Sequence, residues 1–149
     1  MKILIFLIVS VVAFANSFDI NLVCNKVKKS DVEQLLNKKF KTVKPVKLPI
    51  EPQYDVSGCE YTNKIIAEFS IYYYGGAENF NSCITPFYET KELKDAPFKA
   101  VLVISSESKK IFQLVGQTKK GVLSFVFSEG IDDYKQPLEF MKKLRDIFE

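Results

Sequence analysis

Lys99 to Ser128 reads KAVLVISSESKKIFQLVGQTKKGVLSFVFS. Three runs rich in β-branched and aromatic residues, Lys99–Ser105, Ile111–Gln117 and Val122–Ser128, are separated by the polar segments Glu107-Ser108-Lys109-Lys110 and Thr118-Lys119-Lys120-Gly121. Strands joined by turns this short pair with their sequence neighbours, so the stretch predicts an antiparallel meander. In Ala100–Ile104 both alternating sets of side chains are apolar, which predicts a strand covered on both faces. In Val122–Ser128 the heavy set is Leu123, Phe125 and Phe127, and the lighter set is Val122, Ser124, Val126 and Ser128.

Upstream, Cys59 to Tyr74 reads as one long strand with an irregularity around Thr62–Lys64, and Gly75-Gly76 ends it. Period two puts Ile65, Ala67, Phe69, Ile71 and Tyr73 on an apolar face and Ile66, Glu68, Ser70, Tyr72 and Tyr74 on a mixed one. Tyr73 is therefore expected in the core. Tyr72 and Tyr74 are candidates for a binding surface, because exposed tyrosines offer apolar area and hydroxyls at low entropic cost, against the plainer reading that they pack under the middle helix or flank a sheet edge. The double glycine has no G-x-G-x-x-G or GK[ST] context and reads as a turn. Ala77–Tyr88 is expected to form a short helix, with Asn79 a candidate cap and Pro86 limiting it.

Ser30-Asp31-Val32-Glu33 has the form of a capping box and predicts a helix to about Lys41, with Val32, Leu35, Leu36 and Phe40 at helical spacing. Pro45, Pro49 and Pro52 make the next stretch extended, and Ser57-Gly58 is a turn signal. Pro137 suits the first turn of a last helix whose stripe is Leu138, Met141, Leu144, Ile147 and Phe148. The expected fold is α+β: an antiparallel sheet of about five strands with helices on both faces, in the order α, β, β, α, β, β, β, α.

Residues 1–15 combine Lys2, an apolar stretch from Ile3 to Phe14 and a small-x-small Ala13-Phe14-Ala15. This is the pattern of a secretory signal peptide cut after Ala15, which leaves residues 16–149 as a single exported domain, periplasmic or extracellular. No later run is long and apolar enough to span a membrane. The exported part carries a net charge of +2, which gives no reason to expect a nucleic-acid partner. Its charge is uneven: Cys24 to Lys47 holds eight lysines against Asp31 and Glu33. Lys38, Lys39 and Lys41 are accordingly candidates to contact an anionic envelope component or an acidic protein, against the plainer reading of a solvated helix face.

Three cysteines in an exported chain suggest one disulfide and one thiol. Loop entropy does not choose between pairing Cys24 or Cys83 with Cys59, since either is worth roughly 3 to 4 kcal/mol. Cys24–Cys59 is preferred because both lie at the edges of expected elements. Cys83, among Phe80, Ile84 and Phe87, suits a buried thiol. The chain has no histidine, which removes Ser-His-Asp and Cys-His catalysis together with the commonest metal ligand. Zinc would need closely spaced cysteines, and no C-x-x-C is present. Asp132-Asp133 and Glu89/Glu92 are the notable carboxylate clusters; the first fits the start of the last helix and the second a charged connector. No cofactor is expected.

Cys24, the helix after it, the proline-rich extension and Ser57-Gly58-Cys59-Glu60-Tyr61 before a strand resemble small secreted or lipid-anchored bacterial proteins with a PsbP-like α/β/α sandwich. That resemblance rests on Cys24, Gly58, Cys59 and Tyr61, and it implies a non-enzymatic accessory or binding role. Gln113-Leu114-Val115-Gly116 comes near the Q-x-V-x-G loop of cystatin-type inhibitors, but its glycine is one residue early and it lies in an expected strand. The functional expectation is a non-catalytic exported domain that binds a protein or envelope component. The alternative is an inhibitor or immunity-type protein against a secreted hydrolase.

Overall fold

The computed structural model describes residues 18–46 and 55–149. The signal-peptide reading of residues 1–15 and the expectations for Lys47, Pro49 and Pro52 fall outside the described residues. Helices α1 (Leu22–Lys26), α2 (Lys29–Leu36) and α3 (Lys135–Phe148) accompany seven strands: β1 Thr42–Pro45, β2 Val56–Thr62, β3 Phe69–Gly75, β4 Glu89–Glu92, β5 Ala100–Ile104, β6 Ile111–Gln117 and β7 Gly121–Ile131. All pair antiparallel in one sheet of order β1-β2-β3-β7-β6-β5-β4.

This corrects the expected fold. The sheet has seven strands instead of about five, and the three α-helices share one face. Among the described residues the other face carries a 3₁₀ segment, Ala77–Cys83, and no α-helix. Two misread stretches account for the strand count.

The run Cys59–Tyr74 is a hairpin, β2 and β3, in register Cys59↔Ile71 and Tyr61↔Phe69. Its loop, residues 63–68, contains no glycine or proline; side chains supply the turn bonds instead. The Thr62 hydroxyl accepts from Lys64 N at 2.9 Å and lies 2.7 Å from Ile66 O as a donor, while Glu68 Oε2 accepts from Asn63 N at 2.6 Å. Asn63 Oδ1 accepts from Lys41 N at 2.8 Å and Asn63 Nδ2 donates to Lys39 O at 2.6 Å, fastening the loop to the start of β1. Such a side-chain turn carries no glycine or proline, and Asn63 is its one turn residue in the sequence.

The second misread stretch is the charged connector Glu89–Glu92, which pairs with β5 as an exposed edge strand. At the other edge β1 ends on Pro45, where a missing N–H is tolerated. Charge and proline are devices that keep sheet edges from recruiting further strands.

Ser57-Gly58 is no turn but the middle of β2, opposite Tyr73 and Tyr72. A Cβ on Gly58 would lie 2.9 Å from the Tyr72 ring and 2.8 Å from Val46, so close packing and not a bend calls for glycine. The capping box does not form: the N-cap of α2 is Lys28, without a side-chain cap bond. Glu33 turns forward and accepts from Phe40 N at 2.8 Å and Lys39 Nζ at 3.0 Å. The helix therefore stops at Leu36, with Asn37 left-handed at φ 47°, short of the expected Lys41. The middle helix is likewise shorter than expected and 3₁₀; Asn79 donates to Gly75 O at 2.7 Å instead of capping it.

The main core lies between the sheet and the α-helices. Phe69, Ile71 and Tyr73 of β3, Leu123, Phe125 and Phe127 of β7, and Leu102 and Leu114 meet Val23, Val32, Leu138, Met141, Leu144 and Phe148. Ile147, assigned to the α3 stripe by spacing, is largely exposed. The Cys24–Cys59 disulfide fastens α1 to β2, and Val23 N donates to Ser57 Oγ at 3.0 Å beside it. A smaller core of Phe80, Cys83, Val101, Val115 and Val122 lies beneath the 3₁₀ segment.

Candidate binding surface

The strand register sorts the loops between two ends of the sheet. The start of β3 faces the late part of β7 (Phe69↔Phe127), Ile131 faces Ile111, Ile104 faces Glu89, and Thr42 faces Thr62. The 63–68 loop, the chain entering β4 and the start of β1 therefore share one end. Ile65 and Phe87, 99% and 101% exposed, project there with Ile66 and Tyr88. The two other exposed large hydrophobic residues among those described, Ile20 and Ile147, are outside these loops. Single exposed apolar residues are ordinary; here four lie at one end of the sheet, Ile65 and Ile66 between β2 and β3 and Phe87 and Tyr88 where the chain enters the edge strand β4.

The loop is built to present this tip. Thr62, Asn63 and Glu68 turn their polar groups toward the backbone and the chain entering β1, while Ile65 and Ile66 stay exposed between them. Tyr88 stacks on Phe112 with ring centroids 6.4 Å apart, anchoring the second apolar site against β6.

The structure places the expected site residues in two groups. Lys38, Lys39 and Lys41 stand beside the 63–68 loop. Lys38 bonds Glu68, Lys39 pairs with Glu33 at 3.0 Å, and Lys41 makes no ion pair among the described residues. Glu68 is held below the ordinary carboxylate value, first by its bond to Lys38 and then by Asn63 N–H; Glu33 is held low first by Phe40 N–H and then by Lys39. Lys64 pairs with Glu129 at 2.8 Å, which raises the Lys64 pKa and keeps it charged.

Tyr72 and Tyr74 lie elsewhere, on the sheet face opposite the α-helices. Their rings are 6.2 Å apart, both are half-buried, and burial raises both phenol pKa values. Tyr74 packs on the small core beneath the 3₁₀ segment. The tyrosines and the three lysines thus do not form one surface. Ile65, Ile66 and Phe87 were not among the residues expected to bind: reading 59–74 as one strand put Ile65 on its buried face. The signal that bears on them is Asn63, a turn residue in the middle of the run.

Gln113 is buried in β6. Its Nε2 donates to Cys83 O at 2.7 Å and Ser124 Oγ at 2.8 Å, and its Oε1 accepts from Thr85 N and Oγ1, both at 2.9 Å. Every hydrogen-bonding position of that amide is used inside the fold, on the end of the 3₁₀ segment, on Thr85 just after it and on Ser124 of β7, so the near-match to an inhibitor loop is interior structure. Burial pushes the Cys83 thiol up to about 12. Asp133 Oδ1 accepts from Lys135 N at 3.0 Å at the start of α3, and Glu89 pairs with Lys109 at 3.3 Å. Among the described residues no group of three or more histidine, cysteine, aspartate or glutamate side chains could hold a metal.

A groove of about 710 Å³ runs between α2 and α3, floored by Leu35, Phe140 and Leu144. Its rim carries Asp31 and Glu139 with Lys135 and Lys143, two charges of each sign, and selects no ligand by charge. Among the described residues no helix is long and apolar enough to cross a membrane. The disulfide is compatible with an oxidising, exported location. Comparison with protein-family models, curated proteins and solved structures finds no match to this chain.

Proposed function

We propose that this chain is a non-catalytic exported domain that binds a protein or envelope component, and that it docks through the loop end of its sheet. The observation that carries this reading is the grouping of Ile65, Ile66, Phe87 and Tyr88 at that end. Burying one such side chain is worth roughly 1.5 to 3 kcal/mol, and each 1.4 kcal/mol is about tenfold in affinity. The triple substitution I65S/I66S/F87S should therefore lower retention on isolated envelopes by at least about tenfold while the melting temperature stays unchanged. Quantitative blotting of envelope and soluble fractions measures this; equal retention of variant and wild type overturns the reading.

One observation favours the alternative, an inhibitor or immunity-type protein against a secreted hydrolase. Two apolar tips at one end of a sheet have the form of a wedge that enters a cleft. Inhibition of hydrolases secreted by the same cells, lost in the triple variant, would support that reading over the first.

A further inference from the structure

We infer that the component docked by the 63–68 loop is an anionic phospholipid surface, an inference that rests on the docking reading above. The tip is convex, with two adjacent isoleucines standing clear of the fold. A projecting pair of this kind buries little against a flat rigid partner, whereas a fluid acyl layer closes around it on all sides.

The charges around the tip are arranged by depth. Lys39 is 89% exposed while the carboxylate it meets, Glu33, is only 10% exposed; Glu68, the partner of Lys38, is 8% exposed. The ammonium groups therefore face solvent and their counter-charges are recessed. Lys41 is exposed next to Asn63, and Lys64 adjoins Ile65; Glu129 is the exposed carboxylate that meets this group. Lys38, Lys39, Lys41 and Lys64 outweigh Glu33, Glu68 and Glu129 and leave a net positive charge beside the apolar tip, which matches the order of a bilayer surface, acyl chains inside and phosphates outside, with the flexible lysine stems reaching the phosphates.

The test uses the full chain as the expressing cell processes it, so wild type and variants share one N-terminus and their difference reports the loop. Flotation with phosphatidylglycerol-containing vesicles should carry wild type, and I65S/I66S should float about tenfold less. K39E/K41E should float less and wild type should bind phosphatidylcholine vesicles weakly, since phosphates are the expected lysine partners. The chain contains no tryptophan. I66W is thus a single reporter, whose emission should shift to the blue on the anionic vesicles.

Equal flotation of wild type and I65S/I66S, or unshifted I66W emission, overturns the inference. Isoleucine-dependent capture on native envelopes that protease treatment abolishes, with no vesicle binding, also overturns it and identifies a protein partner, leaving the docking reading standing. Capture on native envelopes that is indifferent to Ile65, Ile66 and Phe87 overturns the docking reading itself.

Discussion

Tyr61 shows how much a single atom can matter in the main core. Its ring packs between Phe40 and Phe69, each at 5.8 Å, and its hydroxyl is buried without a hydrogen-bond partner among the described residues. Burial holds that phenol protonated, with its pKa raised far above the ordinary tyrosine value. A desolvated, unpaired hydroxyl costs about 1 to 3 kcal/mol, so Tyr61→Phe should stabilise the protein by roughly 1 kcal/mol and raise Tm by about 3 °C. A calorimetric scan reads this directly, and a lowered Tm would mean that the hydroxyl is satisfied. Cys83 illustrates the same principle in a thiol. With its pKa near 12, almost no thiolate is present at pH 8, and thiol reagents should label it only as fast as the 3₁₀ segment opens. Labelling at the rate of a free thiol in the folded state would show it to be accessible. That Cys83 is buried could be read from its apolar neighbours; that Gln113 bonds its carbonyl could not, because the two are thirty residues apart in sequence.

At the scale of elements, the strands of the meander are the most local feature of the fold. Ile111–Gln117, expected from its β-branched and aromatic content between two polar turns, has the bounds expected, and the turn before β7 is closed by Gly121 N donating to Thr118 Oγ1 at 2.8 Å. Where the reading failed, nonlocal bonds decided the element. Glu33 serves Phe40 and Lys39 instead of its own helix start, and Asn63 fastens the 63–68 loop to Lys39 and Lys41. The pairing of α1 with β2 depends on the disulfide, whose ends are 35 residues apart. Closing a loop of that length is worth about 4 kcal/mol on the chain-entropy model, and engineered or removed bridges commonly deliver 2 to 4. C24S/C59S should therefore lower the unfolding free energy by about 2 to 4 kcal/mol in urea titrations, with α1 the first element to lose amide-exchange protection. Uniform loss of protection across the sheet would show that α1 is no separate unit.

Over the whole molecule, four carboxylates report how the chain is joined. Glu33, Glu68, Glu129 and Glu149 are all held below the ordinary value of 4.5: Glu33 chiefly by Phe40 N–H, and the others chiefly by Lys38, Lys64 and Lys119 respectively. A group whose folded pKa is lowered stabilises the fold fully above its unfolded value and loses that contribution as pH falls through the folded value. These four should thus leave stability flat from neutrality to about pH 5 and erode it below 4.5, each modestly because the pairs meet solvent. In urea midpoints measured against pH, E33Q/E68Q should start lower at neutrality and decline less in acid. An unchanged acid slope would mean that other groups control the transition.

The division between sequence and fold follows from the range of the forces involved. Alternation and helical spacing are written in consecutive residues, so the sequence by itself determined the meander from Lys99 to Ser128, the α3 stripe apart from Ile147, and Tyr73 as a core residue. The three cysteines implied one disulfide, and the positions of the expected elements favoured the pair found, Cys24–Cys59. The number of strands, the gathering of the three α-helices described on one face and the placing of Ile65 and Ile66 beside the lysines were decided only in three dimensions. Each depends on contacts between residues distant in the chain: edge pairing by Thr42–Pro45 and Glu89–Glu92, a loop closed by side chains and fastened to β1, and a register that brings separate loops to one end of the sheet. Local patterning specifies which residues seek burial, but only the assembled sheet determines which of them are left outside it.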